Sequence, residues 1–240
     1  MTISAQTLLL ALAGGVLPVL AWLWFWLRED KAKPEPRWIL TITFIGGAVA
    51  TMISYAGQVG VASIYGHTIG APISANNIIP ILVWWAAIEE IAKYSLAYFT
   101  ALRRKCADEP IDMIIYMLVS ALGFAALENA LFLIEPLSSG QITLSIFTGN
   151  IRFIGATLLH TISSASIGIA MAMTFYKNAS IKRMATILGL VIAVGLHALF
   201  NLFIINSNSN TELAVYAVVW FLIVVVILFF EKIKKIYPRT

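Results

Sequence analysis

The sequence contains little charge and almost no cysteine. Of its 240 residues only 12% are charged, whereas 60% are hydrophobic and the mean hydropathy is +0.88. Soluble globular domains do not have this composition, which indicates a polytopic membrane protein. The single cysteine, Cys106, has no partner for an intramolecular disulfide. Because the chain also lacks a long polar block, we expect one integral membrane domain over residues 1–240.

Seven hydrophobic segments have the length of roughly 20 residues that crosses a bilayer. They are residues 7–27, 38–57, 77–102, 111–134, 150–176, 184–206 and 213–230. We therefore expect an all-α, polytopic bundle of about seven transmembrane helices. The stretch from Gln58 to Asn76 is interpreted as an external loop or interfacial segment. Residues 141–149 either extend the fifth helix outward or form a short surface helix before it.

Basic residues orient the chain, because Lys and Arg beside span ends are retained on the cytoplasmic side. Fourteen of the sixteen follow odd-numbered spans: Arg28, Lys31, Lys33, Arg37, Arg103, Arg104, Lys105, Lys177, Lys182, Arg183, Lys232, Lys234, Lys235 and Arg239. The pattern predicts an external N-terminus and a cytoplasmic C-terminus. Topology thus explains the excess positive charge, and we expect no nucleic-acid partner. The first span lacks a basic n-region, which favours a retained anchor over a cleaved signal peptide.

Polar residues inside the spans lie at similar depths. They are Glu89, Glu90 and Lys93 in the third span, Glu128 and Asn129 in the fourth, His160 in the fifth, and His197 and Asn201 in the sixth. Counted from the cytoplasmic side, Glu89, Glu128, His160, His197 and Asn201 lie roughly 20 to 26 Å along their helices. A charge at that depth costs on the order of 2.5 to 3.5 kcal/mol, so such groups normally face one another or water. We therefore predict one shared polar cavity, beyond the midplane toward the external face.

This set of side chains suits hydrolysis. A carboxylate in a low-dielectric pocket can act as a general base toward water, and Glu89 is the candidate. The imidazole of His197 and the amide of Asn201, one helical turn apart, are candidate donors to a developing oxyanion. His160 is a candidate for orienting the water or shuttling a proton.

Four motifs resemble those of the PrsW family of bacterial intramembrane proteases. They are E89-E-I-A-K93, F124-A-A-L-E128-N129, His160 and H197-A-L-F-N201, and the resemblance covers roughly residues 77–205. The PrsW family shares a superfamily with the type II CAAX prenyl endopeptidases. In that superfamily the first glutamate of a Glu-Glu pair is held to activate water, and the last His and Asn to donate to the oxyanion. Glu128 stands where the prenyl endopeptidases have their first histidine, and His160 is interpreted as the replacement imidazole.

The resemblance implies a glutamic-type intramembrane endopeptidase in a bacterial plasma membrane. Its substrate would be a single-span membrane protein, such as an anti-sigma factor, cleaved near the external face, and it would need no metal or other cofactor. The catalytic set implied is Glu89, Glu90, Glu128, His160, His197 and Asn201, with Lys93 and Asn129 in support. The lipid bilayer is the other expected partner.

The same residues leave other interpretations open. Two glutamates and two histidines are also ligands for zinc, although the chain has no H-E-x-x-H motif. A proton-coupled transporter would use buried carboxylates as a relay, but no Pro or Gly interrupts spans three and six at their polar positions. A noncatalytic scaffold that binds transmembrane segments is the last alternative. Glu90 is either a second catalytic carboxylate or the partner of Lys93. Arg152 is interpreted as an interface anchor in preference to a residue that contacts substrate.

Overall fold

The computed structural model describes residues 3–28, 33–69, 73–74, 76–206 and 209–236. These residues form eight α-helices and contain no β-strand. The helices are α1 (Ala5–Arg28), α2 (Arg37–Ile64), α3 (Ile78–Ala97), α4 (Pro110–Ser138), α5 (Ile142–Ile154), α6 (Ala156–Met173), α7 (Ala179–Ile205) and α8 (Ser209–Ile233). A π-helical turn, Tyr98–Leu102, continues α3 toward the basic loop.

Two helices begin at polar residues whose side chains cap the first helical turn. Glu109 and Asp112 form a capping box at the start of α4, with Pro110 in the first turn, where its missing N–H is not needed. The Asp112 carboxylate accepts a hydrogen bond from the backbone N–H of Glu109 at 2.7 Å. At the start of α7 the Asn178 side chain accepts from the Ile181 N–H at 3.0 Å. Both caps satisfy N–H groups that have no partner within the helix.

Helix α4 lies at the centre of the bundle. It packs against α1, α2 and α6, and from Pro110 to Ala126 it is buried on every face, as a stretch that is hydrophobic all round should be. Its core side chains include Ile114, Leu118 and Leu122. A Cβ on Gly123 of α4 would overlap the carbonyl oxygen of Phe44 on α2, so glycine permits the backbones to touch there.

The observed spans agree with an all-α membrane bundle. Within the described ranges, six segments are long and apolar enough to cross a membrane: α1, α2, α4, α5 together with α6, α7, and Thr211–Ile233 of α8. Helix α3 has 20 residues, a length of about 30 Å, and carries three buried charged side chains between α2 and α7. Counted with α3, the bundle has about seven crossing helices, which confirms the predicted fold class.

Two boundaries differ from the sequence interpretation. The stretch assigned to an external segment from Gln58 onward is wrong at its start, because α2 continues to Ile64 and ends before Gly66, whose φ is +62°. No proline interrupts these residues, so the helix simply extends. Residues 141–149 belong mainly to α5, a short separate helix, which agrees with the second of the two alternatives. The difference is that α5 continues to a break at Gly155, so the predicted span of residues 150–176 is divided there. A Cβ there would overlap the Tyr216 ring of α8, so a larger residue at the break would require that ring to move.

Candidate active site

Six polar side chains from four helices meet in the interior of the bundle. They are Glu89, Glu90 and Lys93 of α3, Glu128 of α4, His160 of α6 and His197 of α7, and we call them the glutamate–histidine cluster. All of them except Glu128 are at most 5% exposed. Groups that the sequence places at one depth therefore also lie in contact across the helices.

Glu90 is held by partners on both carboxylate oxygens. Lys93 Nζ lies 2.5 Å from Oε1, and His197 Nδ1 lies 2.8 Å from the same oxygen. The hydroxyl of Ser164 on α6 donates to Oε2 at 3.2 Å. Of the two interpretations left open for Glu90, the contacts support its pairing with Lys93. The carboxylate anchors three helices to one another and presents no oxygen to water.

Glu89 differs from its neighbour because one of its oxygens is unpartnered. Oε1 accepts a hydrogen bond from Nε2 of Gln58 on α2 at 2.7 Å. Oε2 is buried and makes no hydrogen bond with any described residue. His197 Nε2 lies 3.6 Å from it and His160 Nδ1 lies 4.0 Å from it. A buried, unsatisfied carboxylate oxygen is costly, so one facing two imidazoles indicates a site for a ligand.

His160 has a partner on each ring nitrogen. Lys93 Nζ lies 3.1 Å from Nδ1, and Glu128 Oε2 lies 2.9 Å from Nε2. An ammonium only donates and a carboxylate only accepts, so we assign the neutral tautomer with its proton on Nε2. The ring also packs against Phe124, with 5.0 Å between ring centroids, which fixes its plane.

Arg152 joins the site from the short helix α5. Its Nη2 donates to Glu128 Oε2, and its Nε donates to Asn129 Oδ1 at 2.8 Å. Asn129 in turn donates to the hydroxyl of Thr157 on α6 at 3.0 Å. The interpretation of Arg152 as an interface anchor is therefore wrong. Its guanidinium neutralises Glu128 at the most exposed edge of the cluster, where the Glu128 side chain is 20% exposed.

Asn201 lies four residues after His197 on α7 and is half-buried. Among the described side chains, none of the cluster residues forms a hydrogen bond with it. Its role as an oxyanion donor therefore stays a prediction.

Comparison with known proteins identifies the family. The family model described as PrsW family intramembrane metalloprotease matches residues 35–228, which include every residue of the cluster. The chain belongs to the PrsW family. It is therefore a multi-pass membrane protein and an intramembrane protease.

Two curated relatives agree with this assignment. Protease PrsW of Oceanobacillus iheyensis is 26% identical over 204 residues, which cover 83% of this chain and 85% of the relative. Protease PrsW of Geobacillus kaustophilus is 29% identical over 124 residues, which cover 51% of this chain and 52% of the relative. No solved structure matches the chain.

The contacts of this PrsW-family site include residues that sequence reasoning missed. Gln58 was assigned to the segment outside the second span, and the hydroxyl of Thr157 costs too little to bury to stand out in a hydropathy pattern. The hydroxyl of Ser164 contacts Glu90, but a serine in an apolar span gives no signal that separates it from a small packing residue. Arg152 gave a usable signal, because it is one of only two basic residues that the topology leaves unexplained.

The family description names a metalloprotease, so the cluster must be tested as a metal site. Glu89, His160 and His197 each offer one ligand atom, and these atoms lie within 4.8 Å of one another. One glutamate and two histidines are a known ligand set for catalytic zinc. The imidazole nitrogens turned away from Glu89 contact Glu90 and Glu128, as outer carboxylates do at metal-bound histidines. The donor set thus fits a divalent cation in type and spacing.

One contact of Lys93 competes with metal binding by these residues. The Lys93 ammonium lies 3.1 Å from His160 Nδ1, the nitrogen that faces Glu89, and takes up its lone pair. Glu89, His160 and His197 would hold a cation once Lys93 released this nitrogen. The cation would then polarise the substrate carbonyl and activate water.

Proposed function

We propose that this protease hydrolyses a peptide bond of a single-span membrane protein with a water activated by Glu89. The observation that supports this assignment is the Oε2 atom of Glu89, which is buried and unpartnered within the described chain. The other carboxylates are already engaged, Glu90 by Lys93 and His197 and Glu128 by Arg152 and His160. Glu89 is therefore the carboxylate best placed to accept a proton from water.

The contacts of His197 suggest how the water is held. Its Nδ1 faces a carboxylate, so we assign the ring proton to Nδ1, which leaves the Nε2 lone pair facing Glu89 Oε2 at 3.6 Å. One water can donate to both acceptors. As its oxygen attacks the carbonyl carbon, one proton passes to Glu89 Oε2. That proton then passes to the leaving nitrogen as the C–N bond breaks.

This assignment changes one role expected from the sequence. With its proton on Nδ1, His197 accepts from the water and does not donate to the oxyanion. The Asn201 amide, one helical turn away and without a bond to the cluster, is then the proposed oxyanion donor.

The substrate class rests on the family resemblance and on the position of the site. We propose an anti-sigma factor anchored by one transmembrane segment in a bacterial plasma membrane. The distribution of basic residues predicts which side is cytoplasmic, and on that prediction the cluster lies in the outer half of the bilayer. A site at that depth suits cleavage near the external face.

The test is cleavage of a purified single-span substrate in proteoliposomes. Glu89→Gln keeps the side-chain size and removes the base, so we expect the cleavage rate to fall by about 10² to 10⁴. Glu135→Gln is the matched control, because Glu135 is an exposed glutamate on α4 outside the cluster and its loss should leave the rate unchanged. An undiminished rate in Glu89→Gln would overturn the assignment.

A metal-dependent protease is the second candidate. It is favoured by the spacing of Glu89, His160 and His197 and by the description of the family. Both candidates use Glu89 and His197, and they differ in their response to metal removal.

A further inference from the structure

Gln58 is the residue of α2 that reaches into the glutamate–histidine cluster. Its Nε2 donates to Glu89 Oε1 at 2.7 Å, and its backbone carbonyl accepts a hydrogen bond from Trp85 Nε1 at 3.3 Å. Trp85 lies four residues before Glu89 on α3, so α2 and α3 are joined twice along one helical face. The helices also approach closely beside it, since a Cβ on Gly57 would lie 3.1 Å from the Ile88 side chain.

The bond to Gln58 has a consequence for the other oxygen of Glu89. The terminal torsion of a glutamate is broad and roughly two-fold, so an unheld carboxylate samples many orientations. Oε1 bonds to Gln58, and Oε2 bonds to no described residue. Gln58 thus supplies the one hydrogen bond, within the described chain, that sets the plane of this carboxylate.

We propose that Gln58 is a positioning residue for proteolysis, which holds Glu89 Oε1 so that Oε2 faces His160 and His197. This inference rests on the proposed function of Glu89. Its physical basis is that a base works only within hydrogen-bond reach of the proton it removes, and small displacements are costly in rate. The link to Trp85 fixes the α2 backbone from which Gln58 extends.

The test separates positioning from substrate binding and from folding. Gln58→Met keeps a side chain of similar length and removes the amide donor. We expect kcat to fall about tenfold to a hundredfold. KM should stay within about twofold of the wild-type value, because an interaction that acts in the transition state changes kcat. The melting temperature should fall by a few degrees at most, because Glu89 Oε1 loses its donor while Gln58 itself is only half-buried, and the protein should stay folded at the assay temperature.

Three further variants complete the design. Gln58→Asn keeps the amide on a shorter side chain, so it should lose kcat as Gln58→Met does, and it replaces that variant if the methionine protein does not fold. Trp85→Phe removes the N–H that holds the Gln58 carbonyl and should lower kcat by a smaller factor. Ser63→Ala is the control, since the Ser63 hydroxyl bonds only within α2, to the Gly60 carbonyl.

The outcomes are distinct. Wild-type kcat in Gln58→Met, a raised KM with unchanged kcat, or a loss of activity that unfolding at the assay temperature accounts for each overturns the inference. If the wild-type protein cleaves and Glu89→Gln does not, any of these results sinks the role of Gln58 and leaves Glu89 as the base. Absence of cleavage by the wild-type protein would instead overturn the proposed function, and with it this inference.

Discussion

Lys93 Nζ lies 2.5 Å from Glu90 Oε1, and both side chains are completely buried. The two residues stand three apart on α3, so one helix carries both charges of the pair. His197 and Ser164 then satisfy the remaining positions around Glu90. The pair explains how an otherwise apolar helix carries two opposite charges into the bundle.

Removing one member of this pair should destabilise the protein strongly. Lys93→Met leaves Glu90 buried without its counter-charge, and breaking a buried pair in this way costs about 3 to 5 kcal/mol. The double variant Lys93→Met with Glu90→Gln should recover part of that loss, because no unpaired charge remains. Thermal unfolding of the detergent-solubilised proteins measures both changes.

An exposed pair provides the control for this experiment. Lys234 and Glu231 form an ion pair near the end of α8 with the Glu231 side chain 51% exposed, and such surface pairs contribute little. Lys234→Met should change the unfolding temperature only slightly. Equal effects of Lys93→Met and Lys234→Met would contradict the structural role of the buried pair.

Loss of Arg152 should lower activity through Glu128 and His160. Arg152 contacts Glu128 and Asn129 with two edges of one planar group, a geometry that lysine cannot reproduce. We expect Arg152→Gln to reduce the cleavage rate by about 10- to 100-fold, the usual effect of removing an outer partner, and Arg152→Lys to reduce it less. Initial cleavage rates in proteoliposomes measure this, with the exposed residue Arg183 changed to Gln as the control. An unchanged rate in Arg152→Gln would show that the Glu128 contact serves folding alone.

The depth of the polar groups was predictable because charge in a bilayer is expensive. Glu89, Glu128, His160 and His197 could be placed in one layer by counting residues, and the structure brings them into contact. The choice of partners was not predictable from spacing. Lys93 lies one turn from either glutamate, and only the positions of α6 and α7 decide that it bonds to Glu90.

The shape of the outer half of the bundle was harder to predict. Two hydrophobic stretches joined by Gly155 read as one span, because hydropathy does not record the side chain of Tyr216 that fills the space at the break. The end of α2 was misplaced for a similar reason, since glycine and alanine weaken a hydropathy signal without ending a helix. Because the end of α2 was placed too early, Gln58 was not recognised as a helical residue that reaches the site.

Close packing of α2 on α4 should be intolerant of even one methyl group. A Cβ at Gly47 would overlap the carbonyl oxygen of Ser120, and one at Gly123 would overlap that of Phe44. Backbone atoms cannot move aside as a flexible side chain can, so we expect Gly123→Ala to cost about 1 to 3 kcal/mol or more. Thermal unfolding again provides the measurement.

Gly60, which also lies on α2, offers a matched control for the Gly123 substitution. It lies inside α2, and nothing stands within 4 Å of an added Cβ. Gly60→Ala should therefore retain full stability or gain up to about 1 kcal/mol from helix propensity. If Gly123→Ala unfolds at the same temperature as Gly60→Ala, the helices do not pack as closely as the structure indicates.

Metal removal should separate the two proposed mechanisms. The Lys93 ammonium engages the nitrogen of His160 that faces Glu89, which leaves Glu89 and His197 as the two members of the set with open donor atoms. Two protein ligands are fewer than the three that catalytic zinc sites use. We therefore expect cleavage to survive dialysis against a strong chelator, and we expect less than one equivalent of zinc in the active, purified protein.

The control for this measurement is His67→Ala. His67, whose ring packs against Trp85, is the histidine outside the cluster, so this variant removes any zinc bound there. Loss of cleavage on chelation, restored by zinc in the wild-type and His67→Ala proteins but not in His197→Ala, would instead establish the metal-dependent mechanism.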